Sequence, residues 1–439
     1  MDEIQNAVFL KRPKLRELYE KEKDTLLVSY LSDGLNKNRQ VSRIFIDIFK
    51  DEVQKIFKDN SLLEKIEDYF SKTNYISTVD HHGILSHPSF FQAHLVQALA
   101  NEKKDLKIIP VLSSGSISLD NHTFPRGLIF QCQKGERRVA LVGARHRNEC
   151  VLGTRLSSKE NIEISLSRIK KDMPLSVFNI LSRVIFKNIS EKSFSSYASL
   201  TNRVLFSSLP NFGNLDLVMI PHEKISARII LESKDIQDLF FRDDFILKYE
   251  IEYKNIVGAH SSDGLHGTFL FWRMFDGRRE KIQYIDGLLK NNDASFSIKY
   301  SRENILPLLS LGEIIPCMAV SYTLLGNFGL SLGGGFNQID YLSTIYTAGT
   351  EVFPSFYFEL ENIMGGDFIY TGVKNSQNIF PASYLDILKN FSTNNVEDFV
   401  KNVERVTLGD AVFGVLRDAY YTDTKKIILI NHAPPIIFQ

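Results

Sequence analysis

The chain has only three cysteines and one tryptophan in 439 residues, and no excess charge: 52 basic and 52 acidic side chains cancel. Each scarcity excludes something. Cys132, Cys150 and Cys317 are odd in number, far apart and without a CxxC pair, so neither a disulfide scaffold nor a zinc ribbon fits. Zero net charge supplies no global field toward DNA, RNA or an anionic membrane, so no nucleic-acid partner is expected. Long apolar runs are missing too. The longest apolar-rich stretch, Glu313 to Leu330, contains Glu, Asn, Gly and Pro and falls short of the roughly twenty apolar residues a membrane span needs. The opening MDEIQNAVFLKRPKLRELYEKEKD lacks a basic start followed by an apolar run, so no secretion signal and a cytoplasmic location are expected.

What is present is ordinary globular composition, 44% hydrophobic and 24% charged, in a chain long enough for a large core. The first seventy-odd residues read as helices. Val41, Phe45, Ile48, Phe49, Val53 and Ile56 recur at three- and four-residue spacing, and SLLEKIEDYFSK repeats the pattern with Ser61 placed to cap it. The pattern then changes to a β-branched YISTV, a helix in SHPSFFQAHLVQALANEKK with Ser86 as cap, and a strand-like LKIIPVLSS. That sequence of elements is the unit of a parallel sheet. PRGLIFQCQ and RRVALVGA read as a hairpin extending the sheet, and Asp276–Gly277 as the turn of a second hairpin. Helical patterns dominate from about 160 to 250 around one strand, LDLVMIP, and return in ENILPLLSLGEIIPCMAVSYTLL; KIILI reads as a last strand. The expected fold is α/β: a parallel-sheet, Rossmann-like core flanked by helices. Residues 1–75 form a helical N-terminal segment and 76–439 the α/β core with helical insertions.

Ligands of parallel α/β sheets collect beyond the carboxyl ends of the strands. DHHGILSHP follows the first strand of the unit and SSGSISLDN the second. If those strands are neighbours, Asp80, His81 and His82 lie near Ser113, Ser114 and Ser116, with Asp120 further along. Gly83 allows a sharp turn, and imidazoles beside the start of a helix suit a phosphate, a carboxylate or proton transfer at neutral pH. The bland alternative is that His87 and His94 pack on one helix while His81 or His82 caps a backbone group. AHSSDGLHG offers His260, Asp263 and His266 at three-residue steps, a zinc- or iron-like set, although Gly264 and Gly267 disfavour the helix that would give the spacing meaning. SLGGGFNQIDYL places Gly333, Gly334 and Gly335 before a helix, where backbone could approach a phosphate closely, or simply make a tight helix–helix turn or a close packing contact. No lysine follows them and no GxGxxG occurs after a strand, so neither a P-loop nor a dinucleotide fingerprint is present.

The order of these segments resembles the bacillithiol cysteine-adding enzyme family, the cysteine ligases. There too a helical stretch precedes a strand, a polar Gly-containing loop and a helix. Asn304, Leu306, Leu308 and Ile315–Pro316 stand like that family's Asn-, Leu- and Pro-containing runs, and Gly333, Gly334, Ile339 and Tyr341 like its Gly–Gly turn with a following tyrosine. The likeness covers scattered segments between about residues 40 and 350. This chain has DHHG in place of a Thr–Gly–Gln–Gln-like loop, SSGSISLDN in place of an acidic, histidine-containing run, and no heptad segment. The resemblance implies a core related to class I nucleotidyltransferases and a nucleotide-like pocket; the cofactor stays open, with ATP and magnesium as the candidate. VDHHG also resembles the Asp–His–His motif of the DHH phosphoesterases, which bind two manganese ions. That family needs an aspartate-rich motif upstream and a glycine-rich motif ending in histidine; only helical sequence precedes Asp80, and GGGFN has no histidine.

The leading expectation is an enzyme of small-molecule metabolism, a ligase or group transferase. It binds a nucleotide or phosphorylated substrate between the 80–87 loop and the 333–341 turn. His81, His82 and Asp80 are the expected catalytic residues; His87, Ser114, Ser116, Gly333, Gly334, Gly335, Asn337 and Gln338 the expected binding residues; no metal site is required. A metal-dependent hydrolase using Asp80, His81 and His82, joined by His260, Asp263 and His266, is the alternative. A non-catalytic binding protein with a decayed pocket is the third.

Overall fold

The computed structural model describes residues 2–36, 39–85, 87–133, 135–336, 338–353, 364–375, 378–391, 395–412, 415–416 and 434–438. Ser86, Asn337 and the expected strand KIILI lie outside the described residues. The N-terminal part is helical: α1 (Asp2–Lys11), α2 (Pro13–Glu22), α3 (Leu27–Gly34), α4 (Arg43–Phe57) and α5 (Asn60–Lys72). The apolar stripe of α4 is buried as its spacing requires, and Phe45 and Phe49 meet Phe70 of α5 edge to face. Lys58, in the left-handed region at φ 51°, stops α4. Asp59, two residues before the expected Ser61, caps α5 by accepting from the Ser61 N–H at 3.0 Å. These helices and the sheet share one continuous apolar core reaching from Ile4 to Phe438.

The strand–helix–strand unit forms as its pattern predicts: β1 (Tyr75–Ser77), α6 (Pro88–Lys103) and β2 (Ile108–Ser113). The hairpin β3 (Gly127–Cys132) and β4 (Gly135–Ala140) does not extend that sheet, as the sequence suggested, but forms its own two-stranded ladder. The edge it would have used is taken by β5 (Asp216–Pro221), paired in parallel with β2 over six residues. An antiparallel sheet follows, made of β6 (Phe271–Phe275), β7 (Arg278–Ile285), β8 (Leu288–Asn291), β9 (Ser297–Lys299) and β10 (Ile314–Pro316), in the order β10-β6-β7-β8-β9. Its first hairpin turns at Asp276 and Gly277, with φ of 47° and 75°, the type I′ geometry the Asp–Gly pair predicts.

The glycine run is the main departure. Ser331–Gly334 is not a turn but β11, an interior strand paired in parallel with β1 and with β12 (Met364–Gly365). A Cβ on Gly333 would sit 2.0 Å from the Tyr75 hydroxyl oxygen, and one on Gly334 would meet Leu342 and Gln338 at 2.7–2.9 Å. These glycines therefore make room for neighbouring side chains. The parallel sheet reads β12-β11-β1-β2-β5, so chain order reverses between β11 and β1. Both β2 and β5 are buried throughout, as expected where both faces are covered. The remaining strands, β13 (Thr371–Asn375), β14 (Asn378–Pro381) and β15 (Ile436–Phe438), form a small sheet of their own. Among the described residues no helix is long and apolar enough to cross a membrane.

Candidate functional site

Beyond their ends, β1 and β2 stay in register. The Ser114 N–H donates to the Asp80 carbonyl at 2.9 Å and the His82 N–H to the Ser114 carbonyl at 2.8 Å. Extended backbone sends successive side chains to opposite faces, so Asp80 and His82 enter the core while His81 faces outward. The structure thus brings Asp80, His81 and His82 beside Ser113 and Ser114, the adjacency the sequence made conditional on neighbouring strands.

The two adjacent histidines have different surroundings. His82 is fully buried: Nδ1 lies 2.7 Å from Ser113 Oγ, and Nε2 lies 3.0 Å from both the carbonyl and the hydroxyl of Ser195. Burial pushes its pKa down to about 4, so it is neutral at pH 7 and has no nitrogen left for a ligand. His81 is half-buried, its Nδ1 3.0 Å from Thr123 Oγ1 and its ring edge-on to Phe90. Its pKa is also pushed to about 4, by burial and then by His122 and Arg279. His87 occupies the N-cap position of α6, with Nδ1 2.9 Å from Ser89 Oγ. Burial, His122, His81 and Arg138 push its pKa to about 3.

Asp80 is 1% exposed, and its Oδ2 lies 2.6 Å from Nε2 of His94, itself fully buried on α6. Oδ1 of Asp80 and Nδ1 of His94 have no hydrogen-bond partner among the described residues. Rather than only packing on α6, the bland alternative for it, His94 is linked to Asp80 and ties α6 to the loop after β1.

At the end of β5, His222 and Glu223 open the helix His222–Glu232. Glu223 is fully buried, and its carboxylate accepts from the N–H groups of Gly115 (3.0 Å) and Ser116 (2.7 Å). Burial raises the carboxyl pKa, but His222 and these N–H donors more than offset that and hold it below the usual range. Ser116 therefore meets an internal carboxylate through its backbone. The signal for Glu223 was its position directly after a buried strand, at the same address as the histidine loop. Glu223→Ala would leave two buried N–H groups without acceptors and is expected to cost about 2–4 kcal/mol. Urea denaturation checks this, and an unchanged midpoint would refute the bracing role.

Across the β1–β11 boundary, the Gln338 side chain spans Thr78, accepting from its hydroxyl at 3.2 Å and donating to its carbonyl at 3.1 Å. A Cβ on Gly335 would come within 3.1 Å of the Asp367 carboxylate, which accepts from the Phe336 N–H. Gln338 and Asp367 thus bind this chain's own groups at the end of β11. Asp120 is exposed at the margin.

His260, Asp263 and His266 form a separate turn. Gly264 and Gly267 have φ near 65° and break any helix, Asp263 accepts from the Leu265 N–H at 2.8 Å, and His260 lies between Tyr249 and Phe269. Among the described residues no three His, Cys, Asp or Glu side chains are placed to hold a metal ion, so these residues do not join Asp80, His81 and His82 in one.

The outer wall over the β1–β2 edge comes from far along the chain. Gly277 at the tip of the β6–β7 hairpin accepts from the Cys150 N–H at 2.9 Å, and Leu152 donates to the Gly115 carbonyl at 3.0 Å. This docking carries Arg279 to the neighbourhood of His81, Cys150 and Glu223. No sequence signal marked Arg279 or His122. No protein-family model matches the chain, and no curated protein matches it in sequence.

Proposed function

We propose that this chain is a small-molecule enzyme of the ligase or group-transferase class. Its nucleotide or phosphorylated substrate lies over the carboxyl edge of the parallel sheet. The observation carrying this reading is that polar residues following four strands stand at that one edge: Asp80 and His81 after β1, Ser114 after β2, His222 and Glu223 after β5, and Gln338 after β11. The strand order, reversing between β11 and β1, supports a Rossmann-like description, and such sheets bind ligands at that edge. In this reading His81 and Ser114 contact the substrate. Asp80 with His94, His82 with Ser113 and Ser195, and Glu223 with the Gly115–Ser116 backbone hold the loops that present them.

The test is a thermal-shift series with ATP, ADP, AMP and sugar phosphates, each with and without magnesium. A true ligand at one hundred times its Kd stabilises by about 2.7 kcal/mol, a readily measured rise in melting temperature. No shift with any of them would move the assignment to a non-catalytic binding protein. Two observations favour that second reading: Glu223 already occupies the N–H donors after β2, and His82 is wholly engaged in the core.

A further inference from the structure

Zero net charge excludes a global field, not a local face of one sign, and the antiparallel sheet sorts its charges by face. Its strands carry six cations, Arg273, Arg278, Arg279, Lys281, Lys290 and Lys299, and one acid, Glu280. Side chains alternate along a strand, and directly paired residues share a face. Glu280 is paired with Arg273 across the ladder, and their side chains meet at 2.8 Å. The same face holds Phe271, Ile282 and Leu289. Those three are 0–1% exposed, so this face, with the acid on it, is the one turned to the core.

The opposite face holds Trp272 of β6, Arg279, Lys281 and Gln283 of β7, Lys290 of β8 and Lys299 of β9. All six are exposed or half-buried. No carboxylate projects from the strands on this side; Asp276, Asp286 and Asp293 lie in the turns. Among the described residues none of its four cations is in an ion pair. The Arg279 guanidinium lies 4.4 Å from the centroid of the Trp272 ring, its diagonal neighbour across the ladder. Lys281 donates to the Gly264 carbonyl of the turn that bounds one side. Gln283, Lys290 and Ser297 stand in one row across three strands.

We propose that this outer face of β6 to β9 is a docking surface for single-stranded RNA. The four strands span about 14 Å, room for a few nucleotides. Lys281, Lys290 and Lys299 take phosphates, and Trp272 with Arg279 stacks an unpaired base. A duplex would keep its bases stacked away from that ring, and an acidic peptide would use the cations but bring no base to stack on it. Gln283 and Ser297, flanking Lys290 in their row, suit the ribose 2′-hydroxyl, which both donates and accepts and which DNA lacks. Charge complementarity is local here, so binding weakens steeply with salt. Nothing in it depends on what the carboxyl edge of the parallel sheet binds.

The test titrates the full chain with a labelled ten-nucleotide oligouridylate at low salt, following anisotropy and the emission of Trp272, the chain's only tryptophan. Saturable binding with quenching of Trp272 is expected, and log affinity should fall against log salt with a slope of about −2 to −3 as up to four cations are neutralised. The double variant Lys290→Gln with Lys299→Gln should weaken binding by about fivefold or more, and Arg279→Gln similarly, with less quenching. Arg278→Gln makes the same charge change on the other face of the hairpin and should stay within about twofold. All four positions are exposed or half-buried, so the variants keep the fold. Oligothymidylate bound as tightly as oligouridylate overturns the assignment to RNA. Heparin or polyglutamate bound as tightly, with Trp272 emission unchanged, makes the face a site for acidic partners instead. Absence of oligouridylate binding, or binding indifferent to the variants, overturns the surface altogether.

Discussion

Unfolding free energy is expected to drop steeply between pH 6.5 and pH 4, with His82 alone contributing about 3 kcal/mol of the loss. In the unfolded chain His82 takes a proton near its ordinary pKa of 6.5; in the folded chain burial defers that to about 4. The unfolded state thus binds more protons throughout this window. Stability is fully present above 6.5 and erodes as pH falls toward 4. His222, fully buried, is shifted in the same direction by desolvation, and the half-buried His81 and His87 add to the slope. Urea titrations at pH 7, 6, 5 and 4.5 should show the midpoint falling. His82→Gln should start lower, having lost bonds to Ser113 and Ser195, yet show a shallower pH slope. Constant wild-type stability across the window, or an unaltered slope in His82→Gln, would contradict the burial argument.

That prediction separates two residues the sequence could only group. Period-two alternation at a strand end requires His81 and His82 to face opposite ways, but which one faces inward depends on the partner strand. Here β2 supplies Ser113 and the helix Phe194–Ser207 supplies Ser195, so the inward position belongs to His82. The α4 stripe and the β1–α6–β2 unit were legible because local periodicity decides them. β11 was not, since three glycines read locally as a turn. The reason for Gly333 is the Tyr75 hydroxyl, for Gly334 the Gln338 and Leu342 side chains and for Gly335 the Asp367 carboxylate, and all three are tertiary. The β3–β4 hairpin was read correctly as a hairpin and misplaced in the sheet, because edge occupancy is decided by β5, some eighty residues later. Arg279 was invisible for the same kind of reason: a hairpin tip must first dock on Cys150 before its neighbour reaches His81.

The Asp80–His94 pair carries the second large effect. His94→Leu is expected to cost about 3–5 kcal/mol, because it leaves a carboxylate that is 1% exposed without its one side-chain hydrogen-bond partner among the described residues. Replacing both members with apolar residues, as in Asp80→Val with His94→Leu, removes the orphaned charge and should recover much of that loss. A double-mutant cycle is expected to show a coupling of about 2 kcal/mol or more. A coupling near zero would mean that the 2.6 Å contact does not brace the loop. The same repacked variant decides what Asp80 does. As a positioning residue it leaves ligand affinity within a few fold of wild type once the loop is held by packing. If the variant folds and binds yet shows no turnover, Asp80 takes part in the chemistry, and its Oδ1, without a hydrogen-bond partner among the described residues, becomes the atom to explain.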